Sequence, residues 1–249
     1  RDIARLRRQY DQFLDIYTKL VKNNLIPDMK LDQLVANTKL LTDSLRQNPN
    51  KVVWNDTISS RIPELAAHIF ALWTLSKAEH YFEAEGLDNR ESYLVKPHAA
   101  QVIAIFRLLS VGDPDEALNN NLVEIKTGEG KSIILAVTAM IFVLVGFDVN
   151  CACFSEYLSQ RDYLVFLPLF ESLETQPHIH YGTFNKLCEG IINEKGDIRQ
   201  IVSKMISATR NEQKVGPQTT HRPKILLIDE VDVFFSRDFY GNVYTPAAI

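Results

Sequence analysis

A glycine-rich turn between two apolar runs most constrains what this chain can fold into. Leu122–Ile125 predicts a short buried strand, Thr127–Ser132 a tight turn, and Ile133–Phe147 a buried helix. Gly128 and Gly130 allow the backbone to approach an anion closely, because neither residue carries a Cβ atom. A strand, a glycine turn and a helix in this order can bind the phosphates of a nucleotide at the helix N-terminus.

Two side chains of this motif carry specific predictions. Lys131 is predicted to reach the β- and γ-phosphates, and the Ser132 hydroxyl is predicted to bind Mg²⁺. The strict form of the motif has glycine where this chain has Ile125, whereas the shorter Thr-Gly-x-Gly-Lys-Ser form is typical of helicase-like motors. A glycine turn without function is the alternative for the loop taken alone. The remaining predicted phosphate-binding residues are Thr127, Gly128, Glu129 and Gly130.

Length and composition limit the possible domain organisation and the possible partners. The chain has 249 residues, of which 46% are hydrophobic, so it can form one large domain or two small ones. A net charge of -4 gives no general attraction to nucleic acid. Three cysteines without metal or disulfide spacing fit a reducing compartment. Ile133–Phe147 is shorter than the roughly 17–25 residues of a bilayer span, so no transmembrane segment is predicted.

Residues 1–90 predict an all-helical N-terminal region in which no residue pattern indicates chemistry. Apolar spacing predicts a helix over residues 2–22, a second over Leu31–Leu45, and a third that has Pro63 in its first turn and continues to about Glu85. The chain begins with arginine rather than methionine. We therefore expect it to be a piece of a longer protein.

Residues 91–249 predict an α/β domain, because buried strands and helices alternate along them. This alternation is typical of a central, mainly parallel sheet that is covered by helices on both faces. The predicted strands are Asp148–Phe154, His178–Gly182 and Ile225–Ile228. The predicted helices are Lys96–Leu109, a helix capped by Ser155, Phe184–Glu194 and Asp197–Thr209.

Polar side chains on two other segments complete a candidate site. The apolar strand Ile225–Ile228 ends in Asp229 and Glu230, and a central parallel strand delivers such residues to the ligand crevice. Asp229 is predicted to hold Mg²⁺, and Glu230 to polarise the water that attacks the γ-phosphate. Gln101 lies on the helix upstream of the glycine turn and is predicted to bind the adenine edge, because an amide both donates and accepts. Together with the turn, these residues predict half of an ATPase site.

Five segments, in the same order, resemble SecA, the preprotein translocase ATPase. Glu124–Ser132 resembles its Thr-Gly-Glu-Gly-Lys-Thr loop, and Glu156–Asp162 resembles its Asp-Tyr-Leu-Ala-Gln-Arg-Asp segment. Ile179–Asn185 resembles its Ile-Thr-Tyr-Gly-Thr-Asn-Asn segment, and Asp229–Asp232 matches its Asp-Glu-Val-Asp box. Lys96–Gln101 resembles the segment that carries its adenine-contacting glutamine.

The resemblance covers about residues 96–235 and implies the first RecA-like lobe of a motor ATPase, with ATP and Mg²⁺ as cofactors. Residues 1–90 do not resemble the N-terminus of the family. The implied roles are adenine contact for Gln101, phosphate contact and catalysis for Lys131, Mg²⁺ binding for Ser132 and Asp229, and water activation for Glu230. The resemblance also places Tyr157, Gln160, Arg161 and residues 181–183 on the face that couples the nucleotide to the polymer substrate.

The resemblance implies a polypeptide substrate and a cytoplasmic location with peripheral contact to a membrane translocase. In that family an insert and a second RecA-like lobe would follow Ile249. This piece is therefore expected to bind ATP but to hydrolyse it slowly, because a missing arginine finger costs ~10³–10⁵ in rate. The alternatives are a nucleic-acid motor, which the acidic balance disfavours, and a non-catalytic nucleotide-binding scaffold.

Overall fold

The computed structural model describes residues 3–25, 31–46, 52–82, 94–112, 118–194, 196–207 and 222–235. The polar segment from Arg210 to Pro223 is predicted to be a loop, and its residues 210–221 lie outside these ranges. The helices are α1 Ile3–Asn24, α2 Leu31–Leu45, α3 Asp56–Phe82, α4 Ala99–Leu108, α5 Lys131–Val145, α6 Glu156–Ser172, α7 Phe184–Ile192, α8 Ile198–Ile206 and α9 Val231–Phe234. The strands are β1 Asp148–Cys153, β2 Ile179–Thr183 and β3 Lys224–Ile228.

The first helix packs against α3 and α4 through an aromatic cluster. Phe13 is 1% exposed and meets Phe70 of α3 edge to face, with ring centroids 5.8 Å apart. It meets Phe106 of α4 in the same way at 6.3 Å. The same buried core continues into α5 and β1, so the helical region and the sheet share apolar contacts. The division of the chain at residue 90 stays a prediction.

Helix α3 begins at Asp56, seven residues before Pro63. The prediction that Pro63 lies in the first turn of this helix was therefore wrong. The Asn55 side chain accepts a hydrogen bond from the Ile58 amide at 3.0 Å, which caps the helix at this earlier point. Pro63 therefore lies inside the helix, where it removes one backbone hydrogen bond. The neighbouring Ile62 and Leu65 are fully buried, and burial of such side chains offsets the cost of the proline.

The sheet is parallel and has the order β2-β1-β3 in the described part of the chain. Val149 of β1 lies in register with Ile179 of β2 on one side and with Ile225 of β3 on the other. The predicted buried strand at residues 122–125 was wrong, because these residues are not paired as a strand and Leu122 is 79% exposed. The structure therefore shows an α/β fold with a small parallel sheet.

Two arginines from distant segments bind the C-terminal end of α5. Arg46 Nε donates to the Leu144 carbonyl oxygen at 2.9 Å. Arg222 donates to the carbonyl oxygens of Gly146 at 2.9 Å and Val143 at 2.6 Å. The last carbonyls of a helix lack partners within the helix and carry its negative dipole end, so both cations stabilise the helix terminus.

A buried histidine joins α2 to α3. The Thr38 hydroxyl donates its hydrogen to the Leu34 carbonyl oxygen at 2.7 Å. At the 3.0 Å contact between Thr38 Oγ1 and His68 Nδ1 the imidazole is therefore the donor. Burial lowers the pKa of His68 below its ordinary value of 6.5, and the charge of Glu64 partly opposes this shift. The native fold consequently favours the neutral ring.

We expect acidification to destabilise the helical region through His68. Because the pKa of this histidine is lower in the folded chain, the unfolded chain takes up the proton first as the pH falls. The stabilisation is complete above pH 6.5 and is lost below it. Urea unfolding of the wild-type chain and of His68→Gln at about pH 7.5 and about pH 5.5 measures the effect.

The variant is expected to lose less unfolding free energy between the two pH values than the wild-type chain. Part of the pH dependence will remain, because burial also lowers the pKa of His180 in β2. Equal losses in the two proteins would contradict the assignment to His68.

Candidate nucleotide site

The glycine turn lies at the edge of the sheet where parallel strands end. Helix α5 leads through Gly146 and Phe147 directly into β1, so the helix and the strand run in opposite directions. The N-terminus of α5 therefore lies beside the carboxyl ends of β1 and its neighbours. In open α/β sheets ligands bind in the crevice at this edge.

The turn itself has the backbone conformation that its two glycines predict. Gly128 has a φ of +87° and Gly130 a φ of +84°, which is the left-handed region that other residues rarely adopt. The Glu129 amide closes the turn on the Lys126 carbonyl oxygen at 3.2 Å. Among the described residues no side chain caps the N-terminus of α5, so its first amides are available to an anion.

Gln101 lies against the turn but uses both ends of its amide on the protein. Its Nε2 donates to the Glu129 carbonyl oxygen at 2.9 Å, and its Oε1 accepts from the His98 amide at 3.0 Å. A Cβ atom at Gly130 would lie 2.4 Å from Gln101 Nε2, so glycine is required there for this contact. The adenine contact of Gln101 stays a prediction, and these two hydrogen bonds leave the amide one N–H hydrogen and one oxygen lone pair for it.

Ser132, in the first turn of α5, is bound by a carboxylate of α6. The Ser132 hydroxyl donates to Asp162 Oδ2 at 2.7 Å. Asp162 Oδ1 in turn accepts from Arg161 Nε at 2.8 Å and lies 2.6 Å from Arg161 Nη2. The Asp162 side chain is only 8% exposed, so its charge is held between the hydroxyl and the guanidinium.

Asp229 and Glu230 follow β3 at the same edge. The Asp229 amide donates to the Ala152 carbonyl oxygen of β1 at 2.9 Å, which extends the strand pairing to the carboxylate. Asp229 Oδ1 accepts from the Glu230 amide at 3.0 Å. Glu230 has a φ of +53°, in the left-handed region, and such strain in a non-glycine residue clusters at functional sites.

The pKa of the Cys153 thiol depends on the charged side chains around the end of β1. Burial, together with the negative charges of Asp229, Asp162 and Glu230, raises the pKa of Cys153 to about 12. Only the positive charge of Arg161 acts in the opposite direction. The three carboxylates therefore lie near this thiol, which stays protonated at neutral pH.

Magnesium fits the oxygen donors that this edge provides. The Ser132 hydroxyl donates its hydrogen to Asp162, which leaves its lone pairs for a cation. Asp229 offers carboxylate oxygens, and Mg²⁺ in nucleotide sites is held by one or two protein oxygens together with phosphate oxygens. Within the described residues no cluster of three or more acidic, histidine or cysteine ligands forms a metal site of its own.

The structure thus groups some of the predicted residues more closely than others. Ser132 and the two carboxylates after β3 lie around the end of β1, whereas Thr127 and Glu129 are exposed on the turn. In the described part of the chain Lys131 makes no ion pair.

Sequence reasoning missed Asp162. The available signal was its helical spacing with the buried residues of α6, namely Ser159, Phe166, Leu169 and Phe170.

Fold and site together define an α/β protein with a glycine-rich P-loop at the carboxyl edge of a parallel sheet. A family model described as SecA DEAD-like domain matches residues 5–186, well over half of the chain. The chain belongs to this family, which is a family of ATPases. A search of curated proteins finds no match to the chain.

The extent of the match corrects one expectation. It begins within α1 and includes α2 and α3, so the helical residues that carried no recognisable resemblance belong to the family domain. It ends at residue 186, before Asp229 and Glu230. Among the helices that the structure describes, none has the length and apolar character needed to cross a membrane.

Proposed function

We propose that this chain is the ATP-binding, RecA-like lobe of a SecA-type motor that couples ATP hydrolysis to polypeptide movement. The observation that supports this most strongly is the left-handed glycine turn at the uncapped N-terminus of α5. A helix terminus of this kind attracts phosphate through its free amides and its dipole. The neighbouring carboxylates are the second half of such a site.

Each side chain has a role that its position supports. Lys131 neutralises the β- and γ-phosphates, and Gln101 and residues 127–130 support the base and the phosphate cradle. The Ser132 hydroxyl and the Asp229 carboxylate hold Mg²⁺, which when bound reduces the negative charge of the phosphate oxygens. Glu230 accepts the proton of the attacking water.

Hydrolysis by this chain alone is proposed to be slow. Arg161 is the guanidinium that the structure shows at the edge of the site, and it is ion-paired with Asp162. This pairing directs its Nε and Nη2 to the carboxylate instead of to a phosphoryl group. An arginine supplied by a second lobe or a partner is worth ~10³–10⁵ in rate.

The polymer substrate is proposed to be an unfolded polypeptide, delivered to a translocase at a membrane surface from the cytoplasmic side. The face predicted to couple nucleotide to substrate begins at the N-terminus of α6, where Tyr157 is 74% exposed. The Tyr181–Thr183 segment of β2 ends at the same edge of the sheet. The net charge of -4 supports this substrate over nucleic acid, whose backbone requires basic contacts.

Titration of Mg²⁺-ATP into the wild-type chain and Lys131→Ala tests the proposal. We expect the wild-type chain to bind and the variant to lose about tenfold to a hundredfold in affinity, because a hydrogen bond to a charged group is worth about 1.5–3 kcal/mol. Calorimetry gives both dissociation constants directly.

Lys126→Ala is the matched control, because Lys126 is an exposed lysine on the same turn. It removes the same charge and is expected to change the affinity by less than about threefold. An equal loss in both variants would show general charge attraction instead of a phosphate-binding lysine. No binding by the wild-type chain would overturn the proposed function.

A further inference from the structure

The hydrogen bond from Ser132 of α5 to α6 is accepted by Asp162, a carboxylate to which no role has been assigned. Asp162 is buried, and it accepts the Ser132 hydroxyl hydrogen at 2.7 Å. Its other oxygen is bound by both Nε and Nη2 of Arg161. Within the described residues, the partners of this carboxylate are thus the predicted magnesium ligand and the guanidinium of the preceding residue.

A hydroxyl has one hydrogen and two lone pairs. Because the hydrogen of Ser132 is directed to Asp162, the hydroxyl cannot turn this hydrogen toward a cation. Donation to a carboxylate also increases the electron density on the hydroxyl oxygen, which makes it a better metal ligand. Partners of this kind orient metal ligands in many proteins, and their loss costs about 10–100-fold in metal affinity.

We propose that Asp162 is a positioning residue that orients the Ser132 hydroxyl for Mg²⁺ in the nucleotide complex, with Arg161 holding the carboxylate in place. The inference rests on the proposed function, because it acts through the same site. The proposed role of Arg161 and Asp162, which is to orient the Ser132 hydroxyl, is separate from any contact with the polymer substrate. Asp162 itself does not touch the nucleotide in this proposal.

The Mg²⁺ dependence of ATP affinity separates this role from a structural one. ATP is titrated into the wild-type chain, Asp162→Ala and Asp162→Asn, once with excess Mg²⁺ and once with EDTA. In Asp162→Ala we expect the gain in affinity due to Mg²⁺ to fall about tenfold or more, with the affinity in EDTA changed by less than about threefold. Asp162→Asn keeps an acceptor oxygen and is expected to lose less.

A double-mutant cycle tests whether the effect passes through the hydroxyl. In a Ser132→Ala background, Asp162→Ala is expected to cause no further loss of the Mg²⁺ effect, because the hydroxyl it would orient is absent. Glu156→Gln on the same helix is the control. It breaks an exposed ion pair with Lys186 and is expected to leave both affinities unchanged.

The outcomes separate the inference from the proposed function. If the wild-type chain binds no ATP under either condition, the proposed function fails and the inference fails with it. If the wild-type chain binds and the Asp162 variants lose affinity equally with Mg²⁺ and with EDTA, Asp162 is merely structural and only the inference fails. Should Asp162→Ala not fold, as judged by circular dichroism, Asp162→Asn alone decides between these results, because it keeps the volume of the side chain.

Discussion

Replacing Gly130 by alanine is expected to lower the affinity for Mg²⁺-ATP by about a hundredfold. An alanine in the left-handed region costs about 1–2 kcal/mol. Its Cβ would also lie 2.4 Å from Gln101 Nε2, so the amide would have to leave the Glu129 carbonyl oxygen that it binds at 2.9 Å. Loss of that hydrogen bond adds about 1 kcal/mol or more. Calorimetric titration of ATP, with thermal unfolding in parallel, measures how the cost divides between binding and stability.

Gly128→Ala is the matched control for this substitution. Gly128 has nearly the same positive φ, but an added Cβ would meet nothing within 4 Å. It should therefore show only the cost of the backbone conformation, about tenfold in affinity or the equivalent in stability. Adding Gln101→Ala to Gly130→Ala should remove the steric conflict and recover part of the loss. If both glycine variants behave identically, the contact with Gln101 is unimportant.

Replacing Phe13 by alanine is expected to reduce the free energy of unfolding by about 3–5 kcal/mol. The ring is fully buried and packs against Phe70 of α3, Phe106 of α4 and Tyr17 of its own helix. Its removal leaves a cavity at the meeting point of three helices, which the surrounding rings cannot fill without leaving their own contacts. Urea denaturation followed by circular dichroism measures the change.

Leu14→Ala provides the comparison on the same helix. Leu14 is the next residue along α1 and is 43% exposed, so its truncation is expected to cost less than about 1 kcal/mol. A similar loss for both variants would mean that helix propensity, rather than the aromatic cluster, determines the stability of α1.

The sequence predicted most of the fold because its helices and buried strands carry local patterns. The apolar spacing of α1 and the continuous apolar run of β3 are examples, and both elements formed where they were expected. The failures arose where a local signal competed with the tertiary structure. Pro63 is typical of a first helical turn, but the Asn55 cap and the buried face of α3 place it inside the helix. Leu122 extended an apolar run, yet the described strands leave it unpaired.

In the candidate site, too, local features could be predicted from the sequence and tertiary contacts could not. The glycine turn and the Asp229–Glu230 pair are each contiguous in sequence, so both could be recognised from their residue types, and their roles stay predictions. The contacts of Gln101 with Glu129 and of Asp162 with Ser132 join residues about 30 positions apart. Such contacts follow from how α4, α5 and α6 pack together, and the side-chain pattern of each helix specifies a buried face but not its partner.

The two arginines at the end of α5 imply an order of events during synthesis. A nascent chain emerges from its N-terminus, and domains fold as their residues become available. Arg46 is present long before α5 itself, but Arg222 and the β3 strand that follows it emerge after every other described element except α9. Asp229 and Glu230 arrive with that strand. The ribosome therefore releases the phosphate turn well before the segment that both anchors its helix and carries Asp229 and Glu230, so the proposed ATP site can be completed only after β3 has emerged.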